Sequence, residues 1–155
     1  MAIFGRDKSS MPAPGEALPG RDSQMPLPAS HEVLAAPLKP PFPIGTEVAY
    51  FAMGCFWGAE RIFWELPGVV TTAVGYQGGE TPNPTYDEVC TGRTGHTEAV
   101  LVAYDPTVLG YDELLRQGRT IHLDEGLRRA RSVEMQRAGD QLLAGAGLAQ
   151  DQHRR

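Results

Sequence analysis

The sequence predicts a mixed α/β (α+β) chain built around one core, and three observations carry that prediction. Between Thr46 and Tyr111, β-rich runs alternate with a run at helical spacing. Glycine or proline closes these runs. A chain of 155 residues, 41% hydrophobic and 21% charged, is long enough to fold as a single soluble domain around such a core.

Residues 1–45 hold nine of the thirteen prolines, in stretches such as SSMPAPGEALPG and LKPPFPIG. Proline fixes its own φ and pushes the preceding residue toward extended shapes, so no regular element is expected there. The segment reads as a proline-rich N-terminal arm, either laid over the domain or trailing from it. TEVAYFAM, residues 46–53, reads as a strand that ends at Gly54. CFWGAERIFWEL then puts Phe56, Ala59, Ile62 and Phe63 on one helix face, and Pro67 and Gly68 stop it. VVTTAVGY supplies the next strand, completing a strand–helix–strand unit whose crossover is expected to be right-handed. The loop QGGETPNPT leads into a short helical turn, TYDEVCTG. TEAVLVAY follows as an alternating strand closed by Asp105 and Pro106, and YDELLR starts another helix.

Composition removes several function classes. A net charge of −5 lacks the basic footprint of a nucleic-acid binder. No apolar run approaches the roughly 20 residues of a spanning helix. The opening MAIFGRDKSS has no apolar secretory core, which leads us to expect a cytoplasmic, monomeric protein. Cys55 and Cys90 are the two cysteines, with neither a CxxC pair nor a metal-ligand cluster beside them, so no metal site and no structural disulfide are expected.

Cys55 has the setting of a nucleophile, directly after a strand and a glycine and at the first turn of a helix. Unpaired backbone N–H groups point outward there. With the positive end of the helix dipole they favour an anion, the reactive form of a thiol. Position alone also admits a buried cysteine that happens to start a helix.

The neighbours of Cys55 add what position leaves open. GCFWGAERIFWELPGVVTTAVGY, GGETPNPTY and EVCTGRTGHTEAV, in that order from about residue 33 to residue 116, together resemble the A-type peptide methionine sulfoxide reductases. The resemblance implies a two-layer ferredoxin-like sandwich, incomplete here at its C-terminal end. It also implies reduction of methionine S-sulfoxide, free or in proteins, through a cysteine sulfenic acid. Cys55 matches the family's nucleophile and Glu98 its acid, a shielded carboxyl that keeps its proton near neutral pH. Tyr86 matches a hydroxyl that hydrogen-bonds the sulfoxide oxygen. Phe56 and Trp57 match the apolar wall that receives the S-methyl group. The family uses no cofactor beyond an external thiol reductant such as thioredoxin, for which dithiothreitol substitutes.

Each residue has a plainer rival reading. Glu98 on an alternating strand is an ordinary solvent-facing position, and Tyr86 can simply close a turn. Phe56 and Trp57 can be core aromatics, although successive helix residues point about 100° apart and do not readily enter one core together. His96 reads as an orienting or structural residue, and Cys90 as a plain core thiol.

Residues 117–155 depart from the family pattern. They carry no aromatic, proline or cysteine and hold half of the chain's lysine and arginine, which sets them apart from the core at 46–116. Leu123, Leu127, Ala130, Ala138 and Leu142 are loosely periodic, but Gly126, Gly139, Gly145 and Gly147 interrupt them, so a weakly helical or disordered tail is expected. The family's second tyrosine, its aspartate and its resolving cysteine have no match here, so turnover is expected to depend on an outside thiol or on Cys90. Two other readings follow: a truncated or frameshifted member with little activity, and a general thiol oxidoreductase, against which the absent CxxC counts.

Overall fold

The structure is a computed structural model that describes residues 11–13 and 15–124, with side chains through residue 119. Six elements follow in chain order: β1 (Glu47–Phe51), α1 (Phe56–Trp64), β2 (Val69–Gln77), α2 (Tyr86–Cys90), β3 (Thr97–Tyr104) and α3 (Tyr111–Asp124). The strands form one sheet in the order β1-β3-β2, with β3 antiparallel to both neighbours. β1 and β2 are therefore parallel but not adjacent, and β3 occupies the slot between the two strands that α1 connects. This split arrangement is the ferredoxin-like pattern.

β3 explains why a single sheet can be covered on both sides. Its alternation places Val100, Val102 and Tyr104 on one face, in a cluster with Phe56, Ala59 and Phe63 of α1 and with Leu114 of α3. Ala99, Leu101 and Ala103 point to the other face, where Leu38, with Leu27 and Phe42 at its rim, packs on them. These last three come from the proline-rich segment, which here lies against the domain. Further bonds fix it: Leu18 N–H reaches Arg93 O, Arg21 N–H reaches Pro82 O, and the Arg21 guanidinium reaches Asn83 O at 2.9 Å.

A second tether is buried. His31 is 6% exposed, and its Nδ1 accepts the backbone N–H groups of Val33 and Leu34, each at 3.1 Å. That fixes the proton on Nε2, which donates to the Thr72 hydroxyl at 2.9 Å. Thr72 in turn donates to Glu60 Oε1 at 3.0 Å, and the Trp64 ring stands edge-on to the imidazole.

α1 ends where its own geometry requires: Glu65 closes the last turn, and Leu66, Pro67 and Gly68 lead into β2. α3 crosses residue 116 without a break and runs to Asp124. Its apolar residues Leu114 and Leu115 join the α1 cluster. The expectations for residues 125–155, including the interrupting glycines, lie outside the described residues, as do those for residues 1–10.

Candidate active site

Gly54 turns the chain from β1 into α1. Its φ of +87° is a left-handed conformation that costs an L side chain strain, while a Cβ would meet no neighbour, so the requirement is one of backbone alone. The turn leaves Cys55 exposed at the N-cap of α1, with no side-chain capping bond. The first N–H groups of the helix thus lack the usual Ser, Thr or Asp partner. One of them is answered from another element, because the Phe56 N–H donates to Glu98 Oε2 at 3.1 Å.

The carboxyl reaches that point because of the alternation along β3. Glu98 shares a face with Val100 and Val102, which pack under α1, so the start of that face lies beneath the helix N-terminus. The Glu98 carboxyl is therefore tied to the peptide that joins Cys55 to Phe56. Burial pushes its pKa up, and the Phe56 N–H opposes that only in part. With Oε2 accepting from the backbone, a proton on Glu98 resides on Oε1. Glu98 is thus no solvent-facing strand residue.

Tyr86 opens α2, and the sequence secures that start with a capping box. Thr85 Oγ1 accepts from Glu88 N–H at 3.2 Å, and Glu88 Oε2 accepts from Thr85 N–H at 2.8 Å. The Tyr86 side chain is 42% exposed. Its pKa is raised, first by a hydrogen bond to the Cys90 sulfur and then by the electrostatic influence of Cys90, Glu98 and Cys55. Tyr86, 31 positions after Cys55 and 12 before Glu98 in the chain, lies within electrostatic reach of both.

The two aromatic candidates part company. Phe56 is 4% exposed and packs in the core, its ring 5.9 Å from that of Tyr76, whereas Trp57 is 42% exposed. The 100° step between helix neighbours sends one inward and leaves the other at the surface beside Cys55. Cys90 corrects an expectation: it is exposed, not a core thiol, because α2 is a single short turn with no buried residue.

His96 holds the loop between β2 and α2. Its Nδ1 accepts Gly79 N–H at 3.2 Å, so Nε2 carries the proton and donates to Thr81 O at 2.8 Å. Burial lowers its pKa, in keeping with a neutral ring. A Cβ on Gly79 would come within 2.3 Å of Thr94 O, so only glycine lets the loop lie this close to the start of β3. Thr81 Oγ1 also donates to Leu18 O, which joins the loop to the arm.

One residue of the site went unread in the sequence. Tyr76, on β2, is fully buried, pairs across the sheet with Glu98, and its hydroxyl has no hydrogen-bond partner among the described residues. Its only sequence signal is an even spacing from Thr72 and Val74, which marks a face but not a neighbour. Among the described residues there is no group of three His, Cys, Asp or Glu able to hold a metal, and no helix long and apolar enough to cross a membrane.

An exposed thiol at a helix N-terminus, next to a peptide that binds a carboxyl whose pKa burial raises, with a phenol nearby, has the groups needed to attack an electrophile and protonate what it displaces. Comparison with known proteins points to the same chemistry. Residues 47–122 match the family described as "Peptide methionine sulfoxide reductase". A "Peptide methionine sulfoxide reductase MsrA" of Rippkaea orientalis is 52% identical over 157 aligned positions, covering 100% of this chain and 70% of that protein. "Peptide methionine sulfoxide reductase MsrA 1" of Synechocystis is 56% identical over 86% of this chain and 60% of its own length. The relative from Salinispora tropica is 63% identical over 72% of this chain and 50% of its own. The solved "Methionine sulfoxide reductase A of Corynebacterium diphtheriae" superimposes with a TM-score of 0.63 at 52% identity, over 69% of this chain and 50% of that one. The chain thus spans between half and 70% of the length of the proteins it resembles.

Proposed function

The chain belongs to the A-type peptide methionine sulfoxide reductase family, and from that premise we propose that it reduces methionine S-sulfoxide, free or in proteins, to methionine. The observation that carries the proposal is the bond from Phe56 N–H to Glu98 Oε2, which holds the Glu98 carboxyl against the peptide that follows an exposed cysteine.

The Cys55 thiolate attacks the sulfoxide sulfur while Glu98 gives its proton to the sulfoxide oxygen. Tyr86 donates a hydrogen bond to the same oxygen as charge builds on it. The S–O bond breaks, the oxygen passes to Cys55 as a sulfenic acid, and methionine leaves, so sulfoxide plus thiol become thioether plus sulfenic acid. Trp57, exposed beside Cys55, and the edge of Phe56 form the wall for the S-methyl group. A dithiol such as thioredoxin, or dithiothreitol in vitro, completes the cycle. Its first thiol forms a mixed disulfide with Cys55 and releases water, and its second thiol frees Cys55. The protein acts as a cytoplasmic monomer. An inert family fragment is the less favoured reading, since the likeness to the Rippkaea orientalis relative extends over the whole chain.

The test is to incubate the purified chain with methionine sulfoxide and dithiothreitol and count methionine formed per protein. Many equivalents, lost in Cys55→Ser, are expected. Absence of methionine, or an unchanged yield in Cys55→Ser, overturns the proposal.

A further inference from the structure

Tyr76 is a fully buried phenol whose hydroxyl has no hydrogen-bond partner among the described residues. Leaving such a hydroxyl unpaired carries the full desolvation cost of the group, whereas phenylalanine would keep the same packing without that cost. The ring's apolar contact is with Phe56, 5.9 Å away between centroids. Its partner across the sheet is Glu98, and directly opposed residues of an antiparallel pair project to the same face with Cβ atoms about 5 Å apart. The hydroxyl is sealed from solvent, so an oxygen atom of a substrate, as large as a water, has no access to it.

We propose that Tyr76 is a positioning residue for Glu98: its buried hydroxyl donates to the carboxylate that forms when Glu98 gives up its proton. This inference rests on the reading of Glu98 as the acid. Before proton transfer the carboxyl is neutral and a weak acceptor. Afterwards it carries a charge away from bulk water, and an unpaired donor on the same sheet face gains a strong acceptor as that charge appears. The other titratable groups facing this pair are Tyr86, Asp87 and Cys90 of α2 and Cys55 at the start of α1, none of which holds a positive charge. His96, just before β3 and two residues from Glu98, has its pKa lowered by burial and is committed to the Gly79–Thr81 loop. The phenol is thus the unpaired buried donor whose residue is paired with Glu98 across the sheet.

The experiment is a carboxyl carbon-13 NMR titration of the full chain labelled at glutamate, with the Glu98 signal assigned by its loss in Glu98→Gln. Tyr76→Phe is expected to raise the Glu98 midpoint by about one pH unit, the effect of one charge-assisted hydrogen bond. It is expected to slow single-turnover methionine release about tenfold, with the alkaline limb moved upward. 3-Fluorotyrosine at position 76, a stronger donor of nearly the same size, is expected to lower the midpoint below that of the wild type. A Glu98 midpoint unchanged in both variants overturns the inference, even where Tyr76→Phe alters the melting temperature, as removal of a merely structural hydroxyl would. The titration is read without substrate, so failure of the wild-type chain to form methionine overturns the proposed function and leaves this coupling to be decided separately.

Discussion

Glu60 on α1 and Glu98 on β3 each bridge α1 and the sheet, and burial raises the pKa of both. Their surroundings differ. Glu60 ends a relay in which His31, from the docked arm, donates to Thr72 and Thr72 donates to the Glu60 carboxyl. Glu98 accepts the backbone N–H of the peptide that follows an exposed thiol, and an exposed phenol lies within electrostatic reach of it. Burial by itself therefore makes a structural carboxyl. A reactive neighbour and an open side make a candidate acid.

The strongest way to break this comparison is to neutralise each carboxyl in turn. Glu98→Gln keeps the bond to Phe56 N–H but removes the proton, and single-turnover methionine formation at neutral pH is expected to fall by about 10²- to 10³-fold. Glu60→Gln is expected to stay within about twofold of wild type in the same assay. Equal losses in both would erase the distinction.

Next in size is the tether itself. His31→Ala strips a bond acceptor from Val33 and Leu34 and a donor from Thr72, and urea unfolding is expected to show a loss of about 1–3 kcal/mol. Turnover by the folded fraction is expected to be unchanged. On the catalytic side, Tyr86→Phe is expected to lower methionine formation about tenfold while leaving the melting temperature near that of wild type, because the side chain is exposed at the end of a short helix.

The smallest effect concerns pH. Glu60 holds its proton in the folded chain above the ordinary value of 4.5, where the unfolded chain has released it, so stability falls as pH rises from 4.5 through the raised folded pKa. His31 works in the opposite direction. Its folded pKa lies below 6.5, so the unfolded chain takes up the proton first and stability falls as pH drops below 6.5. Glu60→Gln is therefore expected to melt higher than wild type at pH 7, with the gain shrinking toward pH 4.5. Melting curves at the two pH values measure it.

The elements of the core were legible because their signals are local. Alternation in TEAVLVAY, helical spacing in FWGAERIFW and punctuation by Gly54, Pro67 and Gly68 each act within a few residues. Cys55 at a helix start followed from the same logic. Cys90 was misplaced because its burial depends on what packs over α2, and a single capped turn has no amphipathic pattern from which to read that. Glu98 and Tyr86 were legible through motif resemblance, while spacing alone placed Glu98 at the surface.

What the sequence determined by itself is the strand–turn–helix that presents Cys55, since turn chemistry and periodicity need no distant partner. What only the tertiary structure decided is the company that cysteine keeps. Glu98 lies 43 positions away and reaches the α1 N-terminus because β3 inserts between β1 and β2. Tyr76 meets Glu98 through the register of β2 on β3, and His31 seals Glu60 through an arm whose prolines give no hint of where it docks. Strand order, register and docking are set by the summed burial of both sheet faces, a quantity no local stretch of the chain contains.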